Sequence, residues 1–253
     1  MSFNPGSVTF VGAGPGDPEL LTLKALRAIQ GADVVVHDRL ISPEILALIP
    51  AAARRIDAGK EGFGPSTPQA EIDATLVAEA RAGARVVRLK AGDSGVFGRL
   101  DEEIEALEAA GLAYDIVPGI TSAAAAVAAI GQSFTRRGRN SGVRLVTGHD
   151  AKGFADHDWR ALARPGEVAA IYMGKRAARF LAGRLLMHGA APDTPVTAVE
   201  NASRPDQRIL ATTLARLPAA LDEAALGGPA ILLFGLAPRA AEAVLPAVAE
   251  EFA

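Results

Sequence analysis

Short runs of β-branched and aliphatic residues alternate along this chain with stretches whose apolar positions recur every three or four residues. Such alternation predicts an α/β protein in which strands are joined by helices. Ser7-Val8-Thr9-Phe10-Val11 predicts a strand running into a glycine-rich loop. Residues 18–30 then place Leu20, Leu21, Leu23, Leu26 and Ile29 at helical spacing. Asp33-Val34-Val35-Val36-His37 predicts a buried strand, as do 85–89 and 114–117, and the alanine-rich 121–130 predicts a close-packing helix. Between 133 and 142 the pattern stops, at Arg136, Arg137, Gly138, Arg139, Asn140 and Gly142. This break reads as a linker between an N-terminal α/β domain over 1–137 and a C-terminal α/β domain over 142–253. Strands are expected again at 143–147, 168–173, 195–200, 208–213 and 230–234, with helices at 175–188 and 239–252. Two successive strands, around Pro195 and Arg208, predict a hairpin and therefore a mixed sheet.

Composition narrows the function classes. The 253 residues are 49% hydrophobic and 22% charged, a globular balance. With 26 Lys+Arg against 29 Asp+Glu the net charge is −3, so no general field favours nucleic acid or membrane. The absence of cysteine excludes disulfides, a thiolate nucleophile and Cys-ligated metals. The longest apolar run, 123–130, falls short of the ~20 residues of a membrane span, and the start lacks a signal-peptide pattern. A cytoplasmic protein is expected. His149 and His157, with Asp150, Asp156 and Asp158, match no metal-ligand spacing, so no metal is expected.

Gly12-Ala13-Gly14-Pro15-Gly16-Asp17-Pro18 lies between the first strand and the first helix. Glycines there let a ligand approach the backbone. Asp38 ends the next strand, 22 residues after Gly16, which imitates a dinucleotide-binding fingerprint. The spacing is G-x-G-x-G, however, and Asp17 puts negative charge where a pyrophosphate needs donors. A nicotinamide site is therefore disfavoured, and Asp17 reads equally as an N-cap with Pro18 at the first helical position.

The run Val11-Gly12-Ala13-Gly14-Pro15-Gly16-Asp17-Pro18-Glu19-Leu20-Leu21-Thr22-Leu23-Lys24-Ala25 closely resembles the opening of the tetrapyrrole methylases, the class III S-adenosylmethionine (SAM) methyltransferases. Ala32 to Leu40 is similar to their second motif, Val86 to Asp93 with Val96-Phe97-Gly98-Arg99 to the third, and Val117 to Ala123 to the fourth. Thr147-Gly148-His149, Tyr172-Met173-Gly174 and Thr194-Pro195-Val196 follow in the family's order. One such match is weak evidence, whereas an ordered series over about 200 residues is strong.

The resemblance implies two α/β domains with the cofactor in the cleft between them, the tetrapyrrole methylase fold. It implies SAM contacts at Pro15, Ala91, Gly92, Asp93, Val96, Thr121, Ser122, Met173 and Ala202. It implies C-methylation of uroporphyrinogen III, twice, to precorrin-2, at the branch to sirohaem, cobalamin and haem d1. By the same resemblance Asp38 is the candidate proton acceptor and Lys60 the candidate proton donor. The octacarboxylate substrate calls for arginines, which pair bidentately with carboxylates. Arg39, Arg99, Arg136 and Arg137 lie in or beside the matched motifs. A homodimer is a further family expectation.

Departures from the family pattern cluster in loops expected to face the substrate. Ala91-Gly92-Asp93-Ser94 stands for Gly-Gly-Asp-Pro, Leu100-Asp101 for a Gly pair, and Ser133-Phe134-Thr135-Arg136-Arg137 for Pro-Leu-Thr-His-Arg. The loop after Lys60 also differs, and His37-Asp38 replaces a Tyr-Asp pair. The nearest alternatives are methylation of a later precorrin and a SAM-binding protein without activity. A nicotinamide oxidoreductase is more remote.

Overall fold

The structure is a computed structural model that describes residues 4–59 and 68–242. The chain divides into two compact units, Met1–Ser122 and Ala123–Ala253. The first contains β1 (Ser7–Gly12), α1 (Leu23–Gln30), β2 (Val34–His37), α2 (Pro43–Leu46), β3 (Arg54–Asp57), α3 (Gln69–Arg81), β4 (Arg85–Lys90), α4 (Leu100–Ala109) and β5 (Ala113–Val117). Its five strands form one parallel sheet in the order β3-β2-β4-β1-β5. On one face Val11, Val35, Val87 and Leu89 pack against Ala25, Ala28 and Ile29 of α1. On the other, Val8, Phe10, Val36 and Val86 pack against Leu76 and Ala80 of α3 and Leu107 of α4. Burial on both faces explains why the central strands read as near-continuous apolar runs. β3, with Ile56 as its one apolar residue, lies at the sheet edge and carries too little hydrophobic signal to stand out.

The single helix expected over 18–30 is two pieces. A 3₁₀ turn, Pro18–Leu20, is capped by Asp17, whose Oδ1 accepts from Glu19 N at 2.8 Å. Thr22 then starts α1 afresh, its Oγ1 accepting from Ala25 N at 3.0 Å. Two side-chain caps within six residues end one helical segment and begin another.

The second unit begins with α5 (Ser122–Ala129), whose first residue is the last of the first unit. It continues with β6 (Arg144–Thr147), β7 (His149–Asp150), β8 (Gly153–Phe154), α6 (Trp159–Leu162), β9 (Ala169–Tyr172), α7 (Gly174–Met187), β10 (Pro195–Glu200), β11 (Arg208–Thr213), α8 (Leu217–Ala224), β12 (Ala230–Phe234) and α9 (Arg239–Glu242). The rest of the terminal helix expected over 239–252 lies outside the described residues. The main sheet is mixed, in the order β11-β10-β12-β9-β6. β10 and β11 form the expected antiparallel pair, and β6 lies parallel to β9.

The division between the units precedes the expected linker. Ala123, Ala126 and Val127 of α5 share a core with Val168, Ala170, Val199 and Leu233, so this helix counts with the second unit. Residues 133–142 are also a knitted loop rather than an open connection. Asn140 Nδ2 donates to Phe134 O (2.8 Å) and Gly142 O (2.6 Å), and its Oδ1 accepts from Arg136 N (3.1 Å). Arg139 Nη2 donates to Ser133 O and Phe134 O at 2.8 and 3.0 Å. Among the described residues no helix is long and apolar enough to cross a membrane.

Candidate functional site

All five strands of the first sheet are parallel, so their carboxyl ends share one edge, where α/β folds place ligand-binding groups. The glycine loop leaves β1 there and bonds to the loop after β4. Gly14 N donates to Gly92 O at 3.0 Å, and Gly92 N donates to Gly14 O at 2.7 Å. Gly92, at φ +70°, lies so close to Thr121 and Ser122 that a Cβ on it would sit 3.5 Å from Ser122 Oγ. Pro15, Gly92, Asp93, Thr121 and Ser122 are thereby gathered in one place. Asp93 closes the cluster, with Oδ1 accepting from Gly95 N at 2.9 Å and Oδ2 from Gly119 N at 2.8 Å. Its carboxylate thus braces two loops. Val96 follows in the same turn, its N–H donating to Asp93 O at 3.2 Å. Ser42 Oγ holds the far side of the glycine loop by donating to Gly16 O at 2.6 Å.

Asp38 follows β2 at the same edge, with its N–H on Leu89 O at 3.2 Å. Its Oδ1 accepts from Arg88 Nη2 at 2.6 Å. Arg88 belongs to an ion network that the sequence did not reveal. Glu103 Oε1 on α4 accepts from Arg88 Nε (3.1 Å), Lys90 Nζ (2.8 Å) and Gln69 Nε2 (3.3 Å). Glu103 is 0% exposed and Arg88 2%. Burial pushes the Lys90 ammonium pKa down, with the Arg88 charge beside it adding to the effect and Glu103 opposing it. The dinucleotide-like reading of Asp38 does not fit this geometry, because its carboxylate engages a buried guanidinium and the glycine loop leads into a single 3₁₀ turn.

The predicted arginines fall in different places. Arg39 crosses Gly59 so closely that a Cβ on the glycine would lie 2.6 Å from the Arg39 Cβ. Lys60 lies outside the described residues. Arg99, expected to meet substrate carboxylates, is clamped by Glu102, with Nε to Oε1 at 2.8 Å and Nη2 to Oε2 at 2.5 Å. That pairing holds the Glu102 pKa down and the Arg99 pKa up. Arg136 and Arg137 belong to the second unit and are exposed on the knitted loop.

In the second unit Met173 follows β9 and Ala202 follows β10, two strands that both run antiparallel to β12. Their carboxyl ends, and that of β6 before His149, therefore lie at one sheet edge. Met173 has a left-handed backbone, φ +53°, and is 51% exposed. Its carbonyl lies 3.1 Å from His149 Nδ1. Gly148 is required beneath it, since a Cβ there would come within 2.7 Å of that carbonyl oxygen. Ala202 sits in the turn between Asn201 (φ +49°) and Ser203 (φ +69°). The His149 and His157 ring nitrogens meet the carbonyls of Met173 and Thr147, and no group of three metal-binding side chains occurs among the described residues.

A parallel sheet and a mixed sheet, each with its glycine-supported loops at the carboxyl edge, define the class. The chain belongs to the tetrapyrrole (corrin/porphyrin) methylases, whose family model matches residues 7–218. It is 48% identical, over 95% of its length and 85% of the relative's, to a uroporphyrinogen-III C-methyltransferase of Paracoccus denitrificans. It is 47% identical over 91% of its length to a siroheme synthase of Gluconacetobacter diazotrophicus. The chain spans about half (49%) of that synthase. Among solved structures it resembles the uroporphyrin-III C-methyltransferase of Thermus thermophilus complexed with S-adenosylhomocysteine. The TM-score is 0.78 and the identity 38%, over 90% of this chain and 92% of that one.

Proposed function

We propose that this protein is a SAM-dependent C-methyltransferase that converts uroporphyrinogen III to precorrin-2 by two successive methylations. The observation that carries the reading is the gathering of Pro15, Gly92, Asp93, Thr121 and Ser122 at the same sheet edge as the anchored Asp38 carboxylate. The 48% identity to the Paracoccus enzyme and the bound S-adenosylhomocysteine of the Thermus structure support it.

The residues fit the cofactor. Small side chains at Ala91, Gly92 and Ser122 in the first unit, and at Ala202 in the second, leave room for the cofactor to lie against the backbone, with Pro15, Val96 and Thr121 beside the first three. The exposed Met173 thioether offers a polarizable surface to the adenine face. SAM supplies an activated methyl group on a sulfonium. The chain's task is to position a pyrrole carbon in line with it. As the carbon–carbon bond forms, the carbon–sulfur bond breaks and its electron pair neutralises the sulfonium. The alkylated macrocycle then loses a proton, which Asp38 accepts, with Lys60 as proton donor. Arg39, Arg99, Arg136 and Arg137 receive substrate carboxylates, Arg99 by exchanging Glu102 for a propionate or acetate of the macrocycle. A cytoplasmic homodimer feeding sirohaem, cobalamin or haem d1 synthesis completes the proposal.

The test is turnover of the purified protein with SAM and enzymatically generated uroporphyrinogen III, read by mass. Two added methyl groups per macrocycle are expected. Binding of S-adenosylhomocysteine without methyl transfer to this acceptor would overturn the substrate assignment and point to a later precorrin.

A further inference from the structure

β4 is the central strand of a sheet buried on both faces, yet it carries cations at Arg88 and Lys90. Both lie on the side of Val86, the side covered by α3 and α4. Burying two cations there is strongly unfavourable unless anions compensate. Glu103 serves both through a single oxygen, while its Oε2 has no hydrogen-bond partner among the described residues. A network with stability as its only role would be replaceable by apolar side chains of similar volume. This one has a second end. The guanidinium also touches the carbonyls of Val36 and Leu89, through Nη1 at 3.5 and 3.4 Å, and reaches Asp38 Oδ1 with Nη2 at 2.6 Å. Asp38 is the member that meets solvent, with its side chain 33% exposed. The arrangement is a bracket, with one end fixed in the core by Glu103 and two backbone carbonyls and the other holding a carboxylate at the functional edge.

We propose that Arg88 is the positioning residue of Asp38, and that Glu103 is the anchor through which it acts. The proposal rests on the reading of Asp38 as proton acceptor. Arg88 occupies Oδ1 and fixes the rotamer, and Oδ2, which takes no hydrogen bond from the described residues, receives the proton released by the methylated macrocycle. Lysine at 88 preserves the charge but supplies a single ammonium, which cannot span Glu103, two carbonyls and Asp38 at once.

A kinetic double-mutant cycle on the full chain tests this, with wild type, Asp38→Asn, Arg88→Lys and the double variant assayed with SAM and uroporphyrinogen III. Single-turnover rates with radiolabelled SAM reach the residual activities. S-adenosylhomocysteine affinity and thermal midpoint report on the fold. Arg88→Lys is expected to lower kcat at least tenfold while KM for the tetrapyrrole changes less than threefold. In the Asp38→Asn background the same change should cost less than twofold, because the residue it serves is already gone. Equal losses in both backgrounds, or an unaltered kcat in Arg88→Lys, would overturn the positioning role. A wild-type rate in Asp38→Asn would instead overturn the underlying assignment of Asp38. If Arg88→Lys loses its fold, Glu103→Gln, which loosens the anchored end of the bracket, goes through the same cycle with the same two criteria.

Discussion

Adding one methyl group at Gly119 tests how the first unit assembles its edge. A Cβ at this position would lie 2.2 Å from Gly92 O and 2.7 Å from both Gly12 C and Gly12 O. Every one of those neighbours is backbone, so no side chain can rotate away. Ordinary contact begins near 3.4 Å, which requires the loops after β1, β4 and β5 to separate by more than an ångström. The displacement would also break the bond from Gly119 N to Asp93 Oδ2. Overpacking of this kind costs about 1–3 kcal/mol, and loss of a hydrogen bond to a charged group adds about 1.5–3 kcal/mol. Gly119→Ala is therefore expected to lose about 3 kcal/mol or more in urea unfolding at unchanged m-value. Since the same loops carry Gly92, Asp93, Thr121 and Ser122, the affinity for S-adenosylhomocysteine measured by calorimetry should fall at least tenfold. A variant with wild-type midpoint and affinity would refute the close-crossing argument. One that is destabilised but binds normally would refute the link between this crossing and the proposed cofactor loops.

A matching alanine elsewhere should act with the opposite sign. Gly183 lies within α7, and a Cβ there would meet nothing within 4 Å, so Gly183→Ala should raise stability by about 0.5–1 kcal/mol in the same urea assay. Asp33 ties the start of β2 to β4 through Arg85, which donates to its carboxylate and holds the Asp33 pKa down at about 2. A carboxylate whose pKa is lowered on folding contributes stability above its unfolded value, and that contribution disappears as the pH falls through its folded value. The deficit of Asp33→Asn in urea unfolding should be full at pH 6 and shrink as the pH drops from about 4 towards 2. A deficit independent of pH would show that the ion pair is not its source.

Elements were legible where hydrophobic period and loop chemistry coincide. Val34-Val35-Val36 reads as a buried strand because a parallel sheet covered on both faces leaves no polar alternation to detect. Asp17-Pro18 reads as a helix start because the cap and the proline ring act locally. The loop 133–142 defeats composition, since its order comes from Asn140 and Arg139 bonding to nearby carbonyls. The ordered motifs fall at the carboxyl edges of the sheets, but they did not show that Glu102 holds Arg99 or that Asp93 braces Gly119. Arg88 carried a usable signal, because a cation inside a run of Val and Leu demands a buried anion. Finding that anion needs the rotation of α4, where Asp101, Glu102, Glu103, Glu105 and Glu108 compete on charge alone and only Glu103 is buried.

Backbone strain collects at the carboxyl edges of both sheets, where the motifs also fall. Among the described residues six non-glycines have a left-handed backbone: Phe97, Arg99, Met173, Asn201, Ser203 and Ala225. Ala225 is a helix C-cap, where that conformation ends a helix. The other five all lie in loops that follow the carboxyl ends of β4, β9 and β10. Each costs about 1 kcal/mol or more that glycine would avoid, so the side chain at each position is retained against that cost. Surrounding bonds hold the strain in place. Glu102 clamps Arg99, the Met173 carbonyl meets His149, Asn201 N donates to Pro229 O, and Ser203 N donates to Gln207 Oε1. Two units with different sheet topologies thus meet the same requirement in the same way. Both place side chains at a carboxyl edge in a conformation the backbone resists, and both spend nearby hydrogen bonds to keep them there.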